Sequence, residues 1–315
     1  MLNRRHLRLK ILQSLYAYYQ AETRDLQLGE KELLRNIDKM TEAYILSLKL
    51  LDDLIHYTNT FADERDGKML ATIKGEKANR KFSENVFAAY LNGCDEYVSF
   101  LKKYKIKGQT LDPEFLRKMF MQFAEHEKYQ DYISNPERSE REDLDMMNVL
   151  FKQVVSKSEV VDGFFEEKSM YWESDKSLVA ASVVKTIKEA FKNKGAFRLI
   201  ELTRDWEGDW KFAQGIFRKV VLSNEKFDAL IQEKTRGWDV DRIAMMDVLI
   251  LKLALAEMMV ETAIPVKVTM NEYLELSKTY STPKSSNFIN GILDSLSKEL
   301  VEKGEIKKSG RGLIG

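Results

Sequence analysis

The chemistry most available to this chain lies in its first ten residues. Arg4, Arg5, Arg8 and Lys10, with His6 among them, precede any acidic residue, the first being Glu22. On a helix, Arg4 and Arg8 share a meridian with Ile11 and Leu15, so an apolar stripe turns basic towards its N-terminal end. Arginines are too costly to bury unpaired. The first turn is therefore expected to overhang the bundle and offer its guanidinium groups to solvent or to an anion, aided by the positive end of the helix dipole. Phosphate is the natural anion, and a frayed basic terminus without a ligand is the competing reading. About four contacts to single-stranded phosphates, each giving a log-log salt slope of roughly −0.7, would support only weak binding. Aromatic and amide groups elsewhere would have to add stacking and base-edge contacts.

Other chemistry is thin. The three histidines, His6, His56 and His126, are widely separated, and Cys94 lies on an apolar stripe with Val86, Tyr90, Tyr97 and Leu101, where a packed thiol is the ordinary role. No glycine-rich phosphate loop, HExxH or CxxC occurs. Adjacent carboxylates such as Asp52–Asp53 and Glu166–Glu167 point apart on a helix and read as a solvated face. Neither an enzyme nor a bound cofactor or metal is expected.

The elements that must position the basic cluster are helical. With 44% hydrophobic residues, only four prolines and 15 glycines, long uninterrupted helices are the economical reading, and the fold class is all-α. Lys+Arg and Asp+Glu balance at 50 each, so no global field draws the chain to nucleic acid and any such binding is local. A lone cysteine and no membrane-length apolar run lead to the expectation of a cytoplasmic protein.

A first helix spans Arg4 to Gln20, and a long one carrying Leu33 to Ile55 should pack antiparallel on it and end near Asp63 to Gly67. Asp112-Pro113-Glu114 is a strong helix start, and Asn135-Pro136 a stop. From Asp241 to Glu261 apolar residues fall nearly all round the axis, as in a helix packed on several sides. Asp247 and Glu257 interrupt that helix, so each is either paired or set where the face meets a partner. Asp247 has Arg242, Arg236 or a backbone donor as possible partners. The last residues, 304–315, read as a flexible tail.

Some runs are specific enough to resemble a known family. Arg4 to Tyr16, basic residues followed by Gln13-Ser14-Leu15-Tyr16, resembles the opening helix of the NusB family. Trp238 to Glu257, with Arg242-Ile243, Asp247, Ile250-Leu251 and Ala256-Glu257, is similar to that family's central helix. Ile264-Pro265-Val266-Lys267-Val268, Asn271-Glu272-Tyr273, Lys278 and Phe288 to Asp294 follow in order. The resemblance covers residues 1–60 and 209–303, leaving 61–208 as a helical insertion.

The resemblance implies NusB-like helical bundles and a transcription antitermination factor that binds boxA-like single-stranded RNA of ribosomal RNA transcripts. Its implied partners are NusE, a small-subunit ribosomal protein, and the antitermination complex on RNA polymerase. The implied RNA-binding residues are Arg4, Arg5, His6, Arg8, Tyr16, Lys278, Tyr280, Lys284, Asn287 and Phe288, with core packing the favoured ordinary role for Tyr16 and Phe288. Glu257 matches a position facing the protein partner. Where family members often carry an acid before the last helix, this chain has Thr282-Pro283-Lys284-Ser285-Ser286. Two alternatives stand beside this reading. One is a helical protein-interaction scaffold in ribosome biogenesis without RNA binding; the other is an accessory domain related to ribosomal RNA cytosine methyltransferases.

Overall fold

The structure, a computed structural model, describes residues 3–70, 79–108, 110–203, 205–235, 244–282 and 284–313. Among these residues the regular elements are all helical: α1 (Arg4–Gln20), α2 (Leu26–Leu70), α3 (Val86–Asn92), α4 (Asp95–Lys103), α5 (Pro113–Ala124), α6 (Glu127–Ser134), α7 (Glu140–Val149), α8 (Glu159–Lys168), α9 (Trp172–Lys192), α10 (Trp206–Leu222), α11 (Asn224–Lys234), α12 (Met245–Val260), α13 (Val266–Tyr280) and α14 (Ser285–Glu302). No described helix is long and apolar enough to cross a membrane. The chain divides into two compact units, residues 38–202 and residues 2–37 with 203–315, the division falling inside α2.

In the unit 38–202, local signals set the helix ends. Asp112 caps α5 by accepting from the Glu114 amide, with Pro113 in the first turn, as its sequence predicts. The predicted continuous helix through Val86 and Leu101 is instead broken at Gly93, whose amide closes α3 on Ala89. Asp95 and Glu96 then favour a fresh N-terminus for α4. Cys94 is the buried residue between them, its thiol 3.9 Å from the Phe197 carbonyl. Asn135 ends α6, but α5 stops earlier, and His126 starts α6 by accepting from the Lys128 amide through its ring. After α7 the chain makes one π-helical stretch, Leu150–Val154, with the Val155 amide reaching the Leu150 carbonyl. α9 is the backbone of this unit, burying Leu178, Val183 and Ile187 and packing against α3, α7 and α8.

Of the adjacent carboxylates predicted on a solvated face, Glu166 and Glu167 are exposed as expected, but Asp52 and Asp53 are not. Asp52 is 5% exposed and Asp53 similarly buried, and both hold Lys49 from the same helix. Asp52 also accepts from Asn92 at 3.2 Å and Asp53 from the Thr110 amide at 2.6 Å. A hundred degrees of rotation between neighbouring residues is small enough for both to reach one ammonium that lies between them.

In the second unit, α12 is the centre, packed by α1, α10, α11, α13 and α14. Leu249 to Met258 is buried without interruption, which explains why its apolar residues encircle the axis. Trp238 and Asp241 to Ile243, which open the predicted central helix, lie outside the described residues, as do Arg236 and Pro283. α1 has the predicted bounds. Tyr18 lies beside Gly29, where a Cβ would come within 2.8 Å of the ring. Lys10 and Ser14 bond Asn36, so α1 and the start of α2 run antiparallel.

Two predicted ends move. α2 continues to Leu70, and residues 304–313 are docked rather than frayed. Ile306 is buried, the Ser309 amide donates to the Thr262 carbonyl at 3.0 Å, and Lys308 donates to the Glu261 carbonyl at 2.9 Å. One buried isoleucine and these bonds give the segment an anchor that its glycines conceal.

Candidate nucleic-acid interface

α1 starts with a capping box: Asn3 accepts from the His6 amide at 3.1 Å, while the His6 ring turns back to the Asn3 backbone. This fixes His6 beside the helix end. Burial, then the positive charges of Arg5 and Lys10, push its pKa below the ordinary histidine value.

From this start the arginines fan out to different fates. Arg5 is exposed, yet its guanidinium grips Glu272 of α13 with two bonds, at 3.0 and 2.9 Å. Arg4 is half-buried and lies over the Phe212 ring of α10, 4.1 Å from its centroid. Arg8 corrects the expectation that its guanidinium faces solvent or an anion. It is 3% exposed and makes a bidentate pair with Glu257 of α12, both bonds 2.7 Å, plus a third bond to Glu272 at 3.3 Å. Burial opposes its charge, but the hydrogen bonds and charge of Glu257 outweigh that and hold its pKa above the ordinary value. Arg8 is thus buried but paired, by acids that come from distant helices.

Glu257 likewise does not face outward. It is 0% exposed, and beyond Arg8 it accepts from Thr269 at 2.9 Å and Tyr273 at 3.1 Å. All its strong acceptor sites are thus filled from within the unit. Lys10, also buried, donates to Asn36 at 2.8 Å. What remains accessible of the basic cluster is an open groove lined by Asn3, Arg4, Arg5 and Arg8 on one side and by Ile264, Pro265 and Glu272 on the other.

A second group of candidates gathers at the turn from α13 to α14. Lys278 is exposed and pairs with Glu275 at 2.5 Å. Lys284 and Asn287 are exposed, and Tyr280 and Phe288 are half-buried. Asp247 of α12 holds this turn from beneath: its carboxylate accepts from Ser281 and, at 2.7 Å, from Ser285, while Ser285 also contacts Thr282 at 2.8 Å. These hydroxyls answer the question of what pairs with Asp247, whose arginine candidates Arg236 and Arg242 lie outside the described residues. Tyr16 is 42% exposed, not in the core, because the neighbouring Leu15 and Tyr18 take the inward positions of α1.

Sequence reasoning missed Glu272, Thr269, Tyr273 and Phe212 as members of this site. Glu272 and Tyr273 stand in the quoted Asn271-Glu272-Tyr273 run, so their motif was visible, but not their role as anchors for Arg5 and for Glu257. Among the described residues, no group of histidine, cysteine, aspartate and glutamate could hold a metal ion.

Comparison with known proteins bears on the part of this site carried by α10 to α14, the family match leaving α1 outside it. Residues 176–298 match the model of the NusB family. The chain is similar to the transcription antitermination protein NusB of Salinibacter ruber, 38% identical over 33% of this chain and 65% of that protein. It is also similar to the proteins of that name from Chloroherpeton thalassium, 40% identical over 31% of this chain and 47% of the relative, and Syntrophotalea carbinolica, 39% identical over 28% and 56%. The chain therefore spans only about half to two thirds of the length of the curated relatives it matches. No solved structure matches.

Proposed function

We propose, from the NusB-family domain that this chain carries, that it is an RNA-binding transcription antitermination factor acting on boxA-like single-stranded RNA of ribosomal RNA transcripts together with NusE. The likeness to named antitermination proteins carries this reading, and the groove at the start of α1 supplies its chemistry. Arg5 would reach phosphate by exchanging Glu272 for it, and Arg4 would contribute from its seat on Phe212. Lys284 and Asn287 would meet the strand at the α13–α14 turn, with Tyr16, Tyr280 and Phe288 available for stacking on bases. Arg8, Glu257 and Asp247 act here as positioning residues: they lock the helices that carry the contacts. Lys278 is a weaker contributor, because Glu275 already neutralises it. Joining such a site to a protein partner raises avidity without requiring a new RNA contact.

The test is binding of a labelled boxA-like RNA at two salt concentrations, with and without NusE, for the wild type and for Arg5→Glu. Salt-sensitive binding that tightens with NusE and weakens at least about tenfold in the variant is the expected outcome, with helicity retained and melting lowered only by the loss of the part-exposed Arg5–Glu272 pair. Equal affinity for wild type and variant would sink the assignment. Arg8→Glu is not an equivalent test, since it would set a second acid against Glu257 and unfold the site.

One observation favours a protein-interaction scaffold instead. Arg5 and Arg8 are both already paired with acids, which lowers the positive potential that RNA would meet. A flat response to RNA with retained binding to NusE would select that reading.

A further inference from the structure

The unit 38–202 has its own concentration of positive charge. Between Lys185 and Arg198 the sequence places Lys185, Lys188, Lys192, Lys194 and Arg198 against a single acid, Glu189. Lys185, Lys188 and Lys192 follow three- and four-residue steps along α9, so they fall within about 60° of one another on the wheel. All three are exposed, while Thr186, Ile187, Ala190 and Phe191 between them are buried. Among the described residues none of the three forms an ion pair. Glu189 is instead engaged by Asn193. Elsewhere the helices pair exposed lysines with acids at helical spacing, as in Lys118 with Glu114 and Lys298 with Asp294.

A row of this kind works against the helix that carries it, because like charges at three and four residues repel. The helix dipole accounts for Lys192 in the last turn, but not for Lys188 and Lys185, which lie about one and two turns further back. After α9 the backbone reverses through Lys194 at φ 49° and Gly195 at φ 82°. The glycine packs against Tyr90, whose ring leaves no room for a Cβ. Arg198 follows with its side chain 86% exposed and Glu96 3.7 Å away, so it stands outside the unpaired row. No exposed large apolar side chain accompanies the lysines on α9, so the surface has charge without a means of gripping a partner's apolar groups.

We propose that this lysine row is a second RNA contact, one that meets the phosphate backbone without reading sequence. The inference rests on the RNA-binding reading above. It assigns to the unit 38–202 the role of holding flanking RNA outside the element engaged at α1.

The experiment uses the full chain with two RNAs, the isolated boxA-like element and a longer transcript that contains it, titrated across salt. The variants are K185E/K188E/K192E, its neutral counterpart K185Q/K188Q/K192Q, and Arg5→Glu. Loss of three contacts should make the log-log salt slope on the longer RNA shallower by about 2 and lower its affinity about tenfold or more at low salt. Affinity for the isolated element should stay unchanged, and the neutral variant should move in the same direction by less. If both lysine variants bind the longer RNA with wild-type affinity and slope while Arg5→Glu still weakens binding, the lysine row is no RNA contact and the α1 site stands. If the wild type binds neither RNA, the antitermination reading fails and this inference falls with it.

Discussion

Each unit buries a cluster of charge, and the two are built in opposite ways. In the unit 38–202, Lys49, Asp52 and Asp53 occupy one turn of α2, so their mutual approach is written into local spacing. In the other unit, Arg8 meets Glu257 across 249 residues of sequence and Glu272 across 264, so α1, α12 and α13 must all be in place before any charge is compensated. A local cluster can form with its helix and keeps part of its compensation if one member is lost. A distributed one fails as a whole, because removing either partner strands a charge where water cannot reach it.

The sharpest way to break this contrast is Glu257→Ala. It should cost about 3–5 kcal/mol, read from urea unfolding, because Arg8 is left buried with only its longer bond to Glu272. The double variant R8M/E257L should recover most of that loss, since apolar side chains of similar volume need no compensation. Next, Asp53→Ala should cost about 1–3 kcal/mol, as Asp52 still holds Lys49 while the Thr110 amide loses its acceptor. A loss equal to that of Glu257→Ala would erase the distinction between the two designs.

A pH titration sharpens the comparison further. The hydrogen bonds from Arg5 hold the Glu272 carboxyl below the ordinary carboxylate range. A depressed folded-state pKa contributes stability that is complete above the unfolded value and is lost as pH falls through the folded one. Wild type should therefore lose more stability than Glu272→Gln between about pH 5 and pH 3; parallel curves would refute the contribution. The smallest effect belongs to Tyr97→Phe. Among the described residues the buried Tyr97 hydroxyl has no hydrogen-bond partner, so its removal should leave the stability read from urea unfolding unchanged or raise it by up to about 1 kcal/mol.

The same contrast explains what was legible. α1 was readable to its ends and α5 to its start, because caps, first-turn proline and apolar periodicity are local. The encircled apolar pattern of α12 announced its central place, and its two acids announced that they needed an answer. The answers were not legible: nothing near Glu257 in sequence points to Arg8, and nothing near Asp247 points to Ser281 and Ser285. Asp52 and Asp53 failed for a different reason. Their spacing was plain, but an acid pair on a helix gives the same pattern whether the helix face is wet or covered by Asn92 and Thr110. Gly93 and Cys94 hid a break because the apolar spacing on either side happened to stay in phase.

The π-helical stretch after α7 has a consequence for how this chain tolerates changes in length. Its amides reach back five residues rather than four, so it stores one residue more than the α-helical path requires. Loss of a single exposed residue there, such as Lys152, converts the stretch to ordinary α-helix and leaves the flanking hydrogen-bond ladder intact. The same loss in the middle of α9 rotates every later side chain by about 100° and turns its buried face to water. The stretch Leu150–Val154 is thus a place where the unit's reading frame of inward and outward residues can absorb a deletion.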